Sequence, residues 1–205
     1  MATVQNPIIG RASGTMANAV FSTWKGINVL KSKPLSNNSN TEAQQTQRSL
    51  FKTVVSMLKY FSQAARVGFY ERAQGTSYTP WNLFVKSNTA AFTWDEAIGT
   101  VVLDATKFTV SDPAGNVLDT TGGTATGDYT NITLNFPANA NANYHILMLN
   151  QNSYTPEGVV VHEGQLDATG QAVIPRNWDD SDEYDVFYFL DDGVNVSRSA
   201  GFLIS

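Results

Sequence analysis

The hydrophobic pattern of this 205-residue chain changes its period near residue 95, and this change constrains the fold more than any other feature. Between residues 41 and 66 the apolar positions recur at helical spacing. From residue 95 onward, short β-prone runs alternate with turns rich in Gly, Pro, Asn and Asp, at intervals of roughly ten residues. The first pattern predicts a helix and the second an antiparallel sandwich. We therefore predict an α+β fold with two domains, residues 1–94 and 95–205.

The start of the first domain predicts a β-hairpin. Two β-prone runs, residues 18–24 and 27–33, flank the dipeptide Lys25-Gly26. Pro34 ends the second run, because proline has no N–H to donate to a strand ladder.

A long amphipathic helix is predicted to follow, with Thr41 as its N-cap. Its apolar residues fall within an arc of roughly 120°, the width of a core-facing stripe; they are Leu50, Phe51, Val54, Met57, Leu58, Phe61 and Ala65. Four basic residues form a separate ridge about 27 Å long; they are Arg48, Lys52, Lys59 and Arg66. A second, short helix is predicted from Thr79 to Lys86, with Pro80 at its first position.

The second domain is predicted to be an all-β sandwich. The runs with strand character are 100–103, 107–111, 117–118, 130–136, 144–150, 159–162, 171–174, 184–190 and 194–204. In residues 184–190 the two sets of alternating side chains are both partly apolar. The turn Asp191-Asp192-Gly193 then predicts a closing hairpin, and this arrangement resembles an immunoglobulin or fibronectin type III sandwich.

Charge divides the chain at the same place. Residues 1–94 carry ten lysines and arginines against two acids, a formal charge of +8, whereas residues 95–205 carry three against sixteen, a formal charge of −13. Such asymmetry indicates that the two halves meet different partners. The candidate interface residues are Trp24, Lys25, Lys31, Lys33, Arg48, Lys52, Lys59 and Arg66.

Three interpretations of the basic ridge stay open from the sequence. It binds phosphates, or it docks against the acidic sandwich within one molecule or between copies, or it is a solvated helix face. Sixteen nearby carboxylates would repel a polyanion, so we do not expect nucleic acid as the main partner.

The sequence carries no catalytic pattern. It has no cysteine, so disulfides and thiolate sites are excluded. His145 and His162 lie in apolar runs with no marked nucleophile, and the acidic run 179–185 lacks the spacing of an EF-hand calcium loop. We expect no enzyme activity, no cofactor, no metal and no small-molecule ligand. The chain also shows no signal peptide and no apolar stretch of the roughly 18 residues that a membrane span requires, so we expect no membrane partner.

Residues 6–51 carry a distinctive set of motifs. Gly10 and Gly14 form a Gly-x-x-x-Gly entry, Trp24-Lys25-Gly26 is a Trp-Lys-Gly turn, and Thr41 begins a Thr-x-x-Gln…Gln-Arg helix start. Residues 196–199 add a Val-Ser-x-Ser segment near the C-terminus. The set resembles that of a family of uncharacterised proteins of Bacteroidota and their phages. The resemblance implies lineage and a β-rich C-terminal half, and it implies no activity.

We therefore expect a non-enzymatic structural or assembly protein of a phage or phage-like particle, made in the host cytoplasm and located in the virion. Residues 1–94 would attach it to the assembly, and the sandwich would project or pack on a neighbour. Its partners would be other structural proteins of the particle and copies of itself. Two alternatives stay open. One is a bacterial surface or carbohydrate-binding module that uses Trp178 or Tyr154, and the other is a nucleic-acid-binding accessory protein that uses Lys52 and Lys59.

Overall fold

The computed structural model describes residues 2–3, 14–24, 27–33, 40–97, 99–128, 130–152, 154–175 and 182–204. The chain forms two compact units, Met1–Glu42 and Ala43–Ser205. The boundary between them lies at the first residue of the long helix, whereas the sequence placed it after the helices, at residues 94 and 95.

The first unit contains a four-stranded antiparallel sheet with the order β1-β4-β3-β2. Its strands are β1 (Ala2–Thr3), β2 (Gly14–Met16), β3 (Ala19–Trp24) and β4 (Ile27–Ser32). The predicted hairpin is confirmed as β3 and β4, with Trp24 paired to Ile27 and Ala19 to Ser32. The short strands β1 and β2, which the sequence did not predict, cover its two edges.

The predicted long helix is interrupted. It consists of α1 (Glu42–Leu58), a 3₁₀ turn (Lys59–Phe61) and α2 (Ser62–Gly68). The short α3 (Tyr70–Ala73) follows, and then α4 (Pro80–Asn88). Thr79 caps α4 as predicted, because its hydroxyl accepts a 3.2 Å hydrogen bond from the Asn82 N–H. None of the described helices has the length and apolar character that crossing a lipid bilayer requires.

The rest of the second unit is antiparallel β-structure in three sheets. They have the strand orders β5-β6, β10-β9-β12-β13 and β11-β8-β7. The strands are β5 (Phe92–Asp95), β6 (Thr100–Leu103), β7 (Thr124–Gly127), β8 (Asn131–Asn135), β9 (Asn143–Asn150), β10 (Val159–Gln165), β11 (Gln171–Pro175), β12 (Tyr184–Asp191) and β13 (Ala200–Ile204). Short 3₁₀ turns lie at Thr89–Ala91, Ala105–Lys107, Pro137–Asn139 and Pro156–Gly158. The predicted α+β class with sandwich-like sheets is confirmed.

Several strand predictions differ from the structure. Strands β5 and β7 were not predicted, while residues 107–111 form no strand and residues 117–118 contribute one isolated bridge, Val117 to Val196. The run predicted over residues 194–204 becomes a strand only at Ala200. The physical reason is that residues 196–199 bond on two sides: Val196 and Ser197 pair with Asp191 and Leu190 of β12, while the same segment also bonds to residues 110–118, which interrupts the regular ladder.

The sheet β10-β9-β12-β13 is covered on both faces, and this explains why the helices belong to the sandwich unit. Strand side chains alternate between faces. Phe187 and Phe189 of β12 join the apolar cluster of the helices, whereas Val186 and Leu190 join the cluster of the second sheet. The helices, this sheet and the sheet β11-β8-β7 are therefore three layers that share two cores.

Polar contacts hold the helices to the segment that follows β6. Gly68 allows the closest approach, since a Cβ there would lie 2.7 Å from the Val110 carbonyl oxygen. The Asp112 N–H donates to the Gly68 carbonyl at 3.0 Å, and a Glu71 Oε2 oxygen accepts from the Gly115 N–H at 2.8 Å. These contacts fix the outer surface of the helices relative to the sandwich.

Candidate interaction surface

The apolar stripe of α1 and α2 packs on the sheet, and the basic ridge stays on the outside. Leu50, Val54, Met57, Leu58, Phe61 and Ala65 are buried. The exception in the predicted stripe is Phe51, whose side chain is 52% exposed. Arg48, Lys52, Lys59 and Arg66 are all exposed. Within this unit, the ridge is not the surface that docks against the sandwich.

A groove lies on the outside of the helices, and we call it the helical groove. It has a volume of about 800 Å³. Its lining residues come from α1, α2, α3 and α4; they are Val55, Lys59, Ser62, Arg66, Tyr70, Thr79, Pro80 and Trp81. Lys59 and Arg66, which the sequence predicted as interface residues, therefore share one depression. Arg48 and Lys52 are exposed on α1 and do not line the helical groove.

A second depression, which we call the side pocket, shares Val55 and Trp81 with the helical groove. It has a volume of about 550 Å³. Its lining residues are Phe51, Val55, Tyr78, Trp81, Asn82, Val85, Lys86 and Thr89. The two depressions therefore adjoin at Val55 and Trp81. The centroid of the Trp81 ring lies 5.7 Å from that of the Phe84 ring in the core.

Exposed aromatic side chains cluster around these depressions. Among the described residues, the large aromatic side chains that are exposed all lie between residues 51 and 78; they are Phe51, Tyr60, Tyr70 and Tyr78. We call them the aromatic surface. Two of them carry a lysine over the ring: Lys59 Nζ lies 5.2 Å from the Tyr60 centroid and Lys86 Nζ 4.5 Å from that of Tyr78. The sequence did not identify Tyr70, Tyr78 or Lys86 as parts of an interaction surface.

The remaining predicted interface residues belong to the first unit. Lys31 and Lys33 are exposed. Trp24 ends β3 and pairs with Ile27, while Lys25 lies outside the described residues, as does Gly26. Lys31 and Lys33 belong to the first compact unit, whereas the basic ridge belongs to the second.

His145 binds two carboxylates. Its Nε2 lies 2.8 Å from Asp191 Oδ2 and its Nδ1 lies 3.3 Å from Glu163 Oε1, and the ring stacks on Phe189 at 4.6 Å. The hydrogen bond with His145 is the largest cause that lowers the pKa of Asp191. Both ring nitrogens thus face carboxylates of neighbouring strands, which is a structural arrangement rather than that of a general base beside a nucleophile. For His162, burial lowers the pKa.

The acidic run 179–185 is partly tied to β9. Asp182 accepts hydrogen bonds from the Asn150 and Asn152 amides at 2.7 and 3.2 Å, while Asp179 and Asp180 lie outside the described residues. In the part of the chain that the structure describes, no three His, Cys, Asp or Glu side chains are grouped to hold a metal ion.

Tyr154, an alternative glycan contact, is buried. Its hydroxyl donates to Asp185 Oδ2 at 2.9 Å, and burial followed by this hydrogen bond raises the pKa of Tyr154 far above its ordinary value. Tyr154 therefore does not offer the exposed ring that stacking on a sugar needs. Trp178, the other residue of that alternative, lies outside the described residues.

The Val-Ser-x-Ser segment has a structural role that the sequence did not reveal. The Ser197 hydroxyl accepts from the Leu190 N–H at 2.9 Å, and the Ser197 carbonyl accepts from the Ser111 hydroxyl at 2.6 Å. The Ser199 hydroxyl accepts from the Val110 N–H at 3.1 Å. The two serines therefore join the end of β12 to the segment on which Gly68 rests.

Comparison with known proteins identifies the chain by its family. No curated protein and no solved structure matches it. Its sequence matches that of a family of unknown function, DUF6266, over residues 11–202. Because this match spans nearly the whole sequence, the chain belongs to this family of unknown function.

Proposed function

We propose that this protein is a non-enzymatic structural or assembly protein of a phage or phage-like particle, made in the host cytoplasm and located in the virion. The helical face docks on a neighbouring protein of the assembly. The sandwich serves as its rigid support and projects or packs on a further neighbour, which includes other copies of the chain.

The observation that carries this proposal is the aromatic surface beside the helical groove. Protein interfaces are enriched in Tyr, Trp, Phe and Arg, and a large exposed apolar patch marks an interaction site. Phe51 and Tyr70 are 52% and 60% exposed. Exposing two large aromatic side chains to water is unfavourable in free energy unless a partner covers them.

The resemblance of residues 6–51 to proteins of Bacteroidota and their phages supports a phage or phage-like particle, rather than another kind of assembly, as the location of the protein. The low charge content supports it too, since 15% of the residues are charged, against roughly 25% in a typical soluble protein. A polar, cysteine-free surface of this kind suits a component that is assembled from the cytoplasm.

The test is incorporation into particles. We expect mass spectrometry of purified virions from the source phage to detect the wild-type polypeptide. The double variant Phe51→Ser/Tyr70→Ser should be depleted at least ~10-fold from particles, because it removes two aromatic anchors of the kind that dominate binding energy.

The control is Gln63→Ala/Ser87→Ala, which changes two exposed residues of α2 and α4 that line neither depression. This control should be incorporated like the wild type. Absence of the wild-type chain from purified virions would overturn the proposal, and so would equal depletion of both double variants.

A further inference from the structure

We propose that the helical groove binds an acidic polypeptide segment that inserts an apolar side chain beside Trp81. This inference rests on the proposed docking function and names the chemical class of its partner. It is carried by the charge of the groove, by its apolar floor and by the net charge of the molecule.

The lining of the two depressions is basic. Among the described residues that line the helical groove and the side pocket, none is acidic. Within the described part of the chain, Lys59, Arg66 and Lys86 form no ion pair, whereas Arg72 and Lys107 are paired with Asp112 and Asp104. Basic side chains with no internal acceptor are complementary to carboxylates of a partner, and such charge-assisted hydrogen bonds are the stronger ones.

The floor is apolar. Val55 and Trp81 lie at the junction of the two depressions and both are partly exposed to solvent, although Trp81 also packs against the core. A purely ionic partner would leave this area in water. A segment with one aromatic or aliphatic anchor between acidic residues covers both the floor and the basic rim.

A polypeptide fits the surface better than a nucleic acid. Stacking with bases needs free ring faces. Of the rings next to the helical groove, Lys86 covers one face of Tyr78 in the side pocket and Lys59 covers one face of Tyr60. The molecule also has a net charge of −5, which opposes a polyanion at long range. A peptide with a few carboxylates meets that repulsion only weakly.

The test uses the full chain and fluorescence anisotropy with three labelled octapeptides. The first is Ser-Asp-Glu-Trp-Glu-Ser-Gly-Ser, the second replaces its acids with Gln and Asn, and the third replaces its Trp with Ser. We expect the first peptide to bind at least tenfold more tightly than either of the others, and its affinity to fall as salt is raised.

The decisive variant is Lys59→Glu/Arg66→Glu, in which two exposed groove cations are reversed. It should weaken binding of the first peptide at least tenfold. The matched control is Lys107→Glu/Arg198→Glu, which changes the net charge equally at exposed positions outside the groove and should change the affinity less than twofold. Circular dichroism of both variants verifies that they are folded.

The other outcomes overturn the inference in distinguishable ways. Equal binding of the first and second peptides would show an apolar groove without acid selectivity, and the docking function would stand. Tighter binding of a single-stranded oligonucleotide, lost in Lys59→Glu/Arg66→Glu, would assign the surface to nucleic acid. If none of the three peptides binds, the acidic-segment inference fails, whereas the proposed function is still decided by incorporation of the protein into virions.

Discussion

Many acidic side chains of residues 95–205 are used locally as turn formers. In four Asp-x-Thr sequences the Asp Oδ1 oxygen accepts from both the N–H and the hydroxyl of the threonine two positions later; the pairs are Asp104 with Thr106, Asp119 with Thr121, Asp128 with Thr130 and Asp167 with Thr169. The threonine hydrogen bonds are the main causes that lower the pKa of Asp119 and Asp167. Four of the sixteen acids of this half are therefore explained by turn chemistry.

Asn88 provides the prediction at the scale of one residue. It is fully buried, its Oδ1 accepts from the Thr109 N–H at 2.7 Å, and its Nδ2 donates to the carbonyls of Phe84 and Thr109 at 3.0 and 2.7 Å. Asn88→Leu leaves both backbone groups of Thr109 without this partner, and we expect a loss of about 2–4 kcal/mol in the free energy of unfolding. Urea denaturation measures it.

Asn82→Ala serves as the control for that measurement, since Asn82 is exposed on the same helix. Its effect should stay within about 0.5 kcal/mol. An Asn88→Leu variant as stable as the control would contradict the role given to this amide.

At the scale of elements, α1 shows which buried residues a helical pattern predicts and which it does not. Its stripe correctly identified the buried face, but Phe51 lies at the edge of the stripe that borders the basic ridge. Whether an edge residue is buried depends on what packs beside the helix, and α4 approaches on that side to form the side pocket with Phe51 and Tyr78. A large aromatic residue between a core stripe and a basic ridge is the signal that could have identified this surface.

The three strands β10, β9 and β12 share the cluster of His145, Glu163 and Asp191, which predicts a pH dependence. The pKa of Asp191 is lowered from its ordinary value of 3.8 in the folded protein. Its carboxylate therefore contributes stability above pH 3.8 and loses that contribution as the pH falls through the folded-state pKa. Asp191→Asn should be less stable than the wild type near pH 7, and the difference should shrink as the pH falls below 3.8.

Urea denaturation of both proteins at a series of pH values measures this difference. Glu96→Gln, which changes an exposed carboxyl, should follow the wild type throughout. A constant difference between Asp191→Asn and the wild type at every pH would contradict the assignment of the stabilisation to the charged carboxylate.

At the scale of the whole molecule, the helices and the sandwich of residues 43–205 should fold together. Leu147, Leu149, Phe187 and Phe189 lie in the same apolar cluster as the helices and are at most 5% exposed. A fragment of residues 95–205 would expose this face and lose β5, the partner of β6. We expect no cooperative unfolding transition for that fragment, in contrast with residues 43–205.

Circular dichroism during urea titration distinguishes the two fragments. The fragment 43–205 is the positive control, because it retains both cores. A sharp transition for residues 95–205 with the midpoint of the longer fragment would show that the sandwich is an independent domain, as the sequence alone predicts.

Local patterns in the sequence determined the elements. The hairpin of β3 and β4, the capped α4, the apolar stripe of α1 and most of the sandwich strands follow from period, turn residues and caps, which act over a few neighbouring positions. The basic ridge was also visible, since it needs only the helical repeat. Tertiary structure alone decided that the helices cover the second face of β9 and β12 and that residues 196–199 bond to the segment 110–118 as well as to β12. It also decided that Lys59, Arg66, Tyr70 and Trp81 share one groove. The physical reason is that burial and grooves depend on contacts between residues that are distant in the sequence. A strand with two apolar faces is predicted to be covered on both, but its sequence does not identify the element that covers each face.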